Sequence, residues 1–151
     1  MGIKLPPIEK IHEAYSAVAD GRITLRDTEA DVLSSDHAKK YIVKWEGETY
    51  SSNDNASYWK GYLGYPIIAV LMLQGKLSLD REIARNFSGI NWKKLNTEHK
   101  NKFSEAVKQI MDGFKMSGVD CGRIDDEINK VYKEMEQLTI STKRSSLRPP
   151  K

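Results

Sequence analysis

YIVKWEGETYSSNDNASYWKGYLGYPIIAVLML, residues 41–73, is the stretch whose reading decides the fold. In Tyr41-Ile42-Val43-Lys44-Trp45 every residue but Lys44 is β-branched or aromatic, the make-up of a strand. Tyr41, Val43 and Trp45 project to one face of that strand, Ile42 and Lys44 to the other. Glu46-Gly47 supplies a two-residue turn, and Glu48 to Ser52 returns as the second arm of a hairpin. Tyr58 to Tyr65 leads to Pro66, a residue suited to a first helical turn. Ile67 to Leu73 is apolar on all sides, which predicts a helix buried on every face.

Working outward, Pro7 can open a helix carrying Ile8, Ile11, Tyr15 and Val18, which Asp20-Gly21 stops. Arg22–Leu25 and Ala30–Leu33 are short candidate strands ahead of the hairpin. Downstream, Asp80 is a candidate N-cap for a short helix through Phe87. Phe103, Val107, Ile110 and Phe114 mark a helix over about Thr97–Met116, and Ile124, Ile128, Val131, Met135 and Leu138 one over about Arg123–Ile140. The order is helix, meander, then four or so helices, with no βαβ alternation. The expected class is α+β: a small antiparallel β-meander of about three to four strands packed on a mainly helical body. Residues 1–140 are expected to form a single globular domain and residues 141–151 a disordered basic tail.

Charge narrows the partners. The chain of 151 residues has 24 bases and 21 acids, a formal charge of +3. Four of the bases lie in residues 141–151, so residues 1–140 are net −1. A nucleic-acid binder needs a concentrated basic face. The lysine-rich stretch 91–116 and the acid-rich stretch 117–140 are instead expected to face each other with complementary charge. The longest apolar run is seven residues, far short of a membrane span, and no membrane partner is expected. One cysteine, Cys121, and no export signal at the start lead to the expectation of a cytoplasmic protein.

Motifs that carry chemistry are sparse. His12, His37, His99 and Cys121 are scattered, so no metal and no cofactor is expected. Asp27, Glu29 and Asp31 alternate on one strand face, which fits a charged edge better than a cation site. Ser34, Ser35, Asp36 and His37 have the residue types of a triad but sit together, as in a polar turn. Gly61 to Pro66 lacks the Lys-Ser/Thr ending of a phosphate loop. Tyr41–Gly47 with Asn53 resembles the central strand and turn of a chromodomain, a family that reads methyl-lysine with an aromatic cage. Trp45 matches the cage tryptophan, but Glu48 and Asn55 stand where that family has aromatics.

The segment joining the last strand to the central helix is the best candidate site. Residues 41–65 hold seven of the thirteen aromatics. Ser51, Ser52, Asn53, Asp54 and Asn55 place donors and acceptors beside free backbone N–H groups, and Tyr58, Trp59 and Tyr62 supply amphipathic rings. Lys44 and Arg26 complete the site by charge if the sheet faces that way, and Asp54 is its candidate acid or base. The same polar run also reads as helix caps. The expectation is a non-catalytic binding or interaction domain with its functional surface at Ser51–Tyr65. The amphipathic helices are available for a protein partner or self-association. The first alternative is a small-molecule-binding protein or enzyme with an anionic or polar ligand at that junction. A weaker one is a nucleic-acid accessory protein using Lys93, Lys94, Lys100, Lys102 and the basic tail.

Overall fold

The apolar stretch that dominates the sequence is the helix around which the chain is arranged. The structure, a computed structural model, describes residues 3–151. Helix α1 (Lys10–Ala19) leads into strands β1 (Ile23–Leu25), β2 (Glu29–Leu33), β3 (Lys40–Glu46) and β4 (Thr49–Ser52). A short π-helical turn (Ala56–Lys60) follows, then α2 (Tyr65–Leu73), α3 (Arg81–Arg85), α4 (Trp92–Glu98), α5 (Phe103–Met116) and α6 (Cys121–Glu136). A last strand, β5 (Ser141–Thr142), closes the sheet. The class is α+β, with sheet order β1-β2-β3-β4-β5. Neighbours are antiparallel except β4 and β5, which run parallel.

Helix α2 is buried from Pro66 to Met72 and packs against α1 and against β1, β3 and β4. It therefore lies between sheet and helices, where its all-round apolar surface requires it to be. Tyr41 and Val43 are buried and Trp45 half-buried, so β3 turns its predicted face to the core. Trp45 stacks on Tyr50 at 5.9 Å, against the sheet rather than in an open cage. A buried relay ties the helical layer together: the Trp92 indole donates to Ser16 Oγ at 2.7 Å, and that hydroxyl donates to the Phe87 carbonyl at 2.6 Å.

Several expectations are corrected. The hairpin turn falls on Gly47 and Glu48, one residue later than expected, with Gly47 at φ 60°. The helix expected over 97–116 is two helices, because Lys100 and Asn101 adopt left-handed backbone and break the chain between α4 and α5. The tail expected to be disordered is laid along the sheet. Ser141 N–H donates to Glu48 O, Lys143 N–H to Tyr50 O, and Asn53 Nδ2 to Arg148 O. Carbonyls of Glu48 and Tyr50 along the β4 edge and the Asn53 side chain supply these partners, which composition alone does not reveal. Helices α5 and α6 touch, but among the described residues no ion pair joins 91–116 to 117–140, and Arg123 reaches Asp80 and Glu82 instead. Glu29 and Asp31 both hold the Arg26 guanidinium at 2.7 Å, but β2 lies between β1 and β3, so these acids form a paired charge cluster on the sheet face and not the charged strand edge expected.

His12 of α1 is buried against the edge of Phe87, with ring centroids 5.7 Å apart. Burial pulls its pKa down from 6.5 to about 4, so the imidazole is neutral in the fold. The unfolded chain binds a proton below pH 6.5 that the fold refuses. Stability is thus lost as pH falls from 6.5 towards 4, by on the order of 3 kcal/mol. His12→Gln should flatten that part of the curve in urea titrations run at several pH values. An unchanged pH dependence would show that the imidazole is not excluded from protonation.

Candidate functional site

The polar run after β4 folds around one carboxylate. Asp54 is buried; its Oδ1 accepts from the Ser52 hydroxyl at 2.5 Å and its Oδ2 from Ser57 N–H at 3.0 Å. Ser57 Oγ in turn accepts from Gly64 N–H at 3.1 Å. These bonds start the π-helical turn and pin its exit, which needs Gly61 at φ 75°. Gly64 is required by space: a Cβ there would collide with the Asp54 carboxylate. Asn53 is equally committed, its Oδ1 accepting from Ile42 N–H at 2.7 Å. The cap reading therefore describes what Asp54 does for the fold.

Beside this turn lies a cavity of about 370 Å³, inside the usual range for small-molecule sites. The π-helical turn contributes Ala56, Trp59 and Lys60 to its lining. Its walls come from α1, the start of β1, the β2–β3 turn, β3, the first residue of α2, and α4 with the loop after it. Of the residues expected at a site, Asp54, Asn55, Trp59 and Tyr62 line it. Tyr58 lines an adjacent cleft. Ser51 and Ser52 sit in β4 opposite Lys44 and Val43, and with Asn53 they lie outside the lining. Lys44 is exposed on the sheet opposite Glu29, and Arg26 is held by Glu29 and Asp31, so neither reaches the cavity. Of the four lysines considered for nucleic acid, Lys93 lines it.

The electrostatics of the cavity are set by residues that pattern alone does not single out. Five bases line it, Lys10, Arg22, Lys39, Lys60 and Lys93, against the acids Glu13 and Asp54. Both acids are occupied: Glu13 by Lys10 at 3.0 Å, Asp54 by the cap. Arg22 is the decisive group. It is 3% exposed, and of its guanidinium nitrogens Nη1 donates to Leu33 O at 2.7 Å. Nε and Nη2 are buried without a hydrogen-bond partner, the nearest carboxylate being Asp20 at 3.6 Å from Nε. A buried cation with open donors costs several kcal/mol unless something answers it. Asn96 of the opposite wall has the converse fault, a buried Oδ1 with no donor.

Aromatic rings fill the rest of the wall. Tyr41, Tyr62, Tyr65, Trp59, Trp92 and Phe103 all face the cavity, and Lys10 Nζ sits 3.9 Å over the Phe103 ring. Burial pushes the Tyr65, Tyr41 and Tyr62 phenols up, and the Asp54 and Glu13 charges add to the shift. These phenols therefore stay protonated donors well above neutral pH. A guanidinium with two unbonded nitrogens, protonated phenols and flat rings together suit an anion that carries a planar apolar part.

The family profile described as "Uncharacterised conserved protein UCP014422" matches residues 3–141. The chain belongs to this family. The matched span contains every residue that lines the cavity, from Lys10 to Phe103. No curated protein and no solved structure matches the chain.

Arg22 and Asn96 were not visible in the sequence because nothing local distinguishes them. Arg22 follows the Gly21 stop of α1 and reads as an ordinary first strand residue. Asn96 reads as one more polar position on a helix. Only the packing of α1, β1 and α4 shows that their polar atoms are shut in.

Gly64→Ala should destabilise the protein by about 2 kcal/mol, as overpacking against the Asp54 carboxylate. Asp54→Ala should cost about 1–2 kcal/mol as a lost cap. Because Asp54→Ala removes the clash, the two costs should fall short of additive by about 1 kcal/mol in a double-mutant cycle of urea unfolding. Full additivity would show that the carboxylate and Gly64 do not share this space.

Proposed function

We propose that this protein binds a small anionic molecule with a planar apolar part in the cavity between the sheet and the π-helical turn. The anionic group accepts from Arg22 Nη2 and Nε, and the rings of Trp59, Tyr62 and Trp92 flank the planar part. The observation that carries this reading is Arg22, a buried residue of the cavity lining whose Nε and Nη2 have no hydrogen-bond partner. Nη1 serves the fold through Leu33 O, but the two unbonded nitrogens carry a desolvation cost that an anion in the cavity would remove. The excess of bases over acids around the cavity supports the sign of the ligand.

The reading is of a binding protein: Asp54 is spent on the cap, and Glu13 is paired with Lys10. No helix among the described residues is long and apolar enough to cross a membrane. With a single free cysteine, Cys121, we place the protein in a reducing, cytoplasmic setting.

Arg22→Met tests the reading through two readouts with opposite signs. The ligand-free variant should melt at the wild-type temperature or above it, because a desolvated cation is removed. Thermal-shift titrations with phenyl phosphate and with benzoate should raise the melting temperature of the wild type and not of Arg22→Met. A variant that melts several degrees lower, with the wild type unmoved by either probe, would make Arg22 a structural residue and overturn the proposal.

A further inference from the structure

We propose that the face beside the cavity, which shares Trp59 and Lys60 with it, binds single-stranded nucleic acid. Trp59 is 63% exposed, far more than any other tryptophan or tyrosine of the chain. Its ring meets Tyr58 edge-on at 4.7 Å, and the Arg144 guanidinium lies 4.9 Å from the Tyr58 ring centroid. Between the π-helical turn and the C-terminal strand runs a cleft of about 310 Å³ with three bases, Lys60, Lys143 and Arg144, and no acid in its lining. Lys4 joins the same face, its ammonium donating to the Lys60 carbonyl at 2.9 Å.

Lys4, Lys60, Lys143 and Arg144 are all exposed, and none forms an ion pair among the described residues. Other surface bases are neutralised, as Lys76 by Glu48, Arg26 by Glu29 and Asp31, Lys108 by Asp112, and Arg123 by Asp80 and Glu82. What sets this face apart is that its unpaired cations surround the one exposed indole and that the cleft between them has no acid in its lining. It is assembled from the N-terminus, the π-helical turn and the C-terminus, so no single stretch of sequence displays it.

The chemistry selects the partner. Phosphates answer the cations, and unpaired bases answer the indole, the combination used by proteins that bind single strands without sequence preference. A duplex keeps its bases stacked and offers Trp59 nothing to stack on. A lipid surface would need several exposed apolar side chains beside the lysines, whereas Trp59 is the one exposed apolar residue lining this cleft.

The test is fluorescence anisotropy with labelled twelve-nucleotide dT and rU strands, using the full chain over a range of salt. The wild type should bind both and quench its tryptophan emission. Trp59→Ala, a change at an exposed side chain, should weaken binding about tenfold. Lys143→Ser with Arg144→Ser should weaken it and lower the log–log salt slope by about 1.4 units. Arg22→Met should leave it unchanged, which separates this face from the cavity. The proposal is overturned by any of three results: no binding at low salt, binding indifferent to Trp59→Ala, or equal binding to a duplex of the same length. Capture by anionic phosphatidylserine vesicles without strand binding would likewise overturn it in favour of a membrane surface.

Discussion

A helix with no polar side has to be enclosed, and that requirement organises this molecule. From Pro66 to Met72 α2 offers apolar atoms in every direction. One helix cannot cover it, and a small sheet cannot cover it alone, so α1 packs on one side and the meander on the other. The two covering layers come from adjacent segments, since β1 begins four residues after α1 ends. Enclosure is complete along the body of α2 but stops at its first turn, where Tyr65 meets Arg22, Tyr41 and the π-helical turn. The cavity lies at that seam, where layers of different geometry diverge.

The seam also concentrates the polar conflicts of the structure. Buried side-chain atoms without partners belong to His12, Tyr15, Arg22 and Asn96, and the last two line the cavity. Other buried polar groups are answered, as in the Trp92–Ser16–Phe87 relay and the Asp54 cap. A chain able to satisfy those groups but leaving Arg22 open supports the view that the guanidinium is held for something outside the chain. Stability and binding then oppose each other at one residue, because the donors that would hold an anion are those the empty protein keeps dry.

Much of the fold was legible because it follows from local pattern. Ile8, Ile11, Tyr15 and Val18 announce α1, the alternation in Tyr41–Trp45 announces the core face of β3, and Asp80 caps α3 where its side chain accepts from Ile83 N–H. What was not legible depends on long-range packing. The apolar stripe from Phe103 to Phe114 continues the helical pattern of the residues before it, and only left-handed Lys100 and Asn101 separate the two helices. The C-terminal residues look unstructured by composition, yet the edge of β4 gives them partners. In the polar run Ser51–Asn55, Asp54 caps the π-helical turn, and Asp54 and Asn55 line the cavity while Ser51, Ser52 and Asn53 do not. The charge beside it comes from Lys10, Arg22 and Lys93, distant in sequence, and not from Lys44 or Arg26.

The central claim is that Arg22 holds an anion in this cavity, and the most direct measurement is native mass spectrometry of the full chain isolated gently from its own cells. The account predicts a discrete added mass on the 17.2 kDa protein that leaves on denaturation and is missing from Arg22→Met prepared in the same way. A wild-type spectrum showing only the bare chain, or an added mass that Arg22→Met retains, would contradict it.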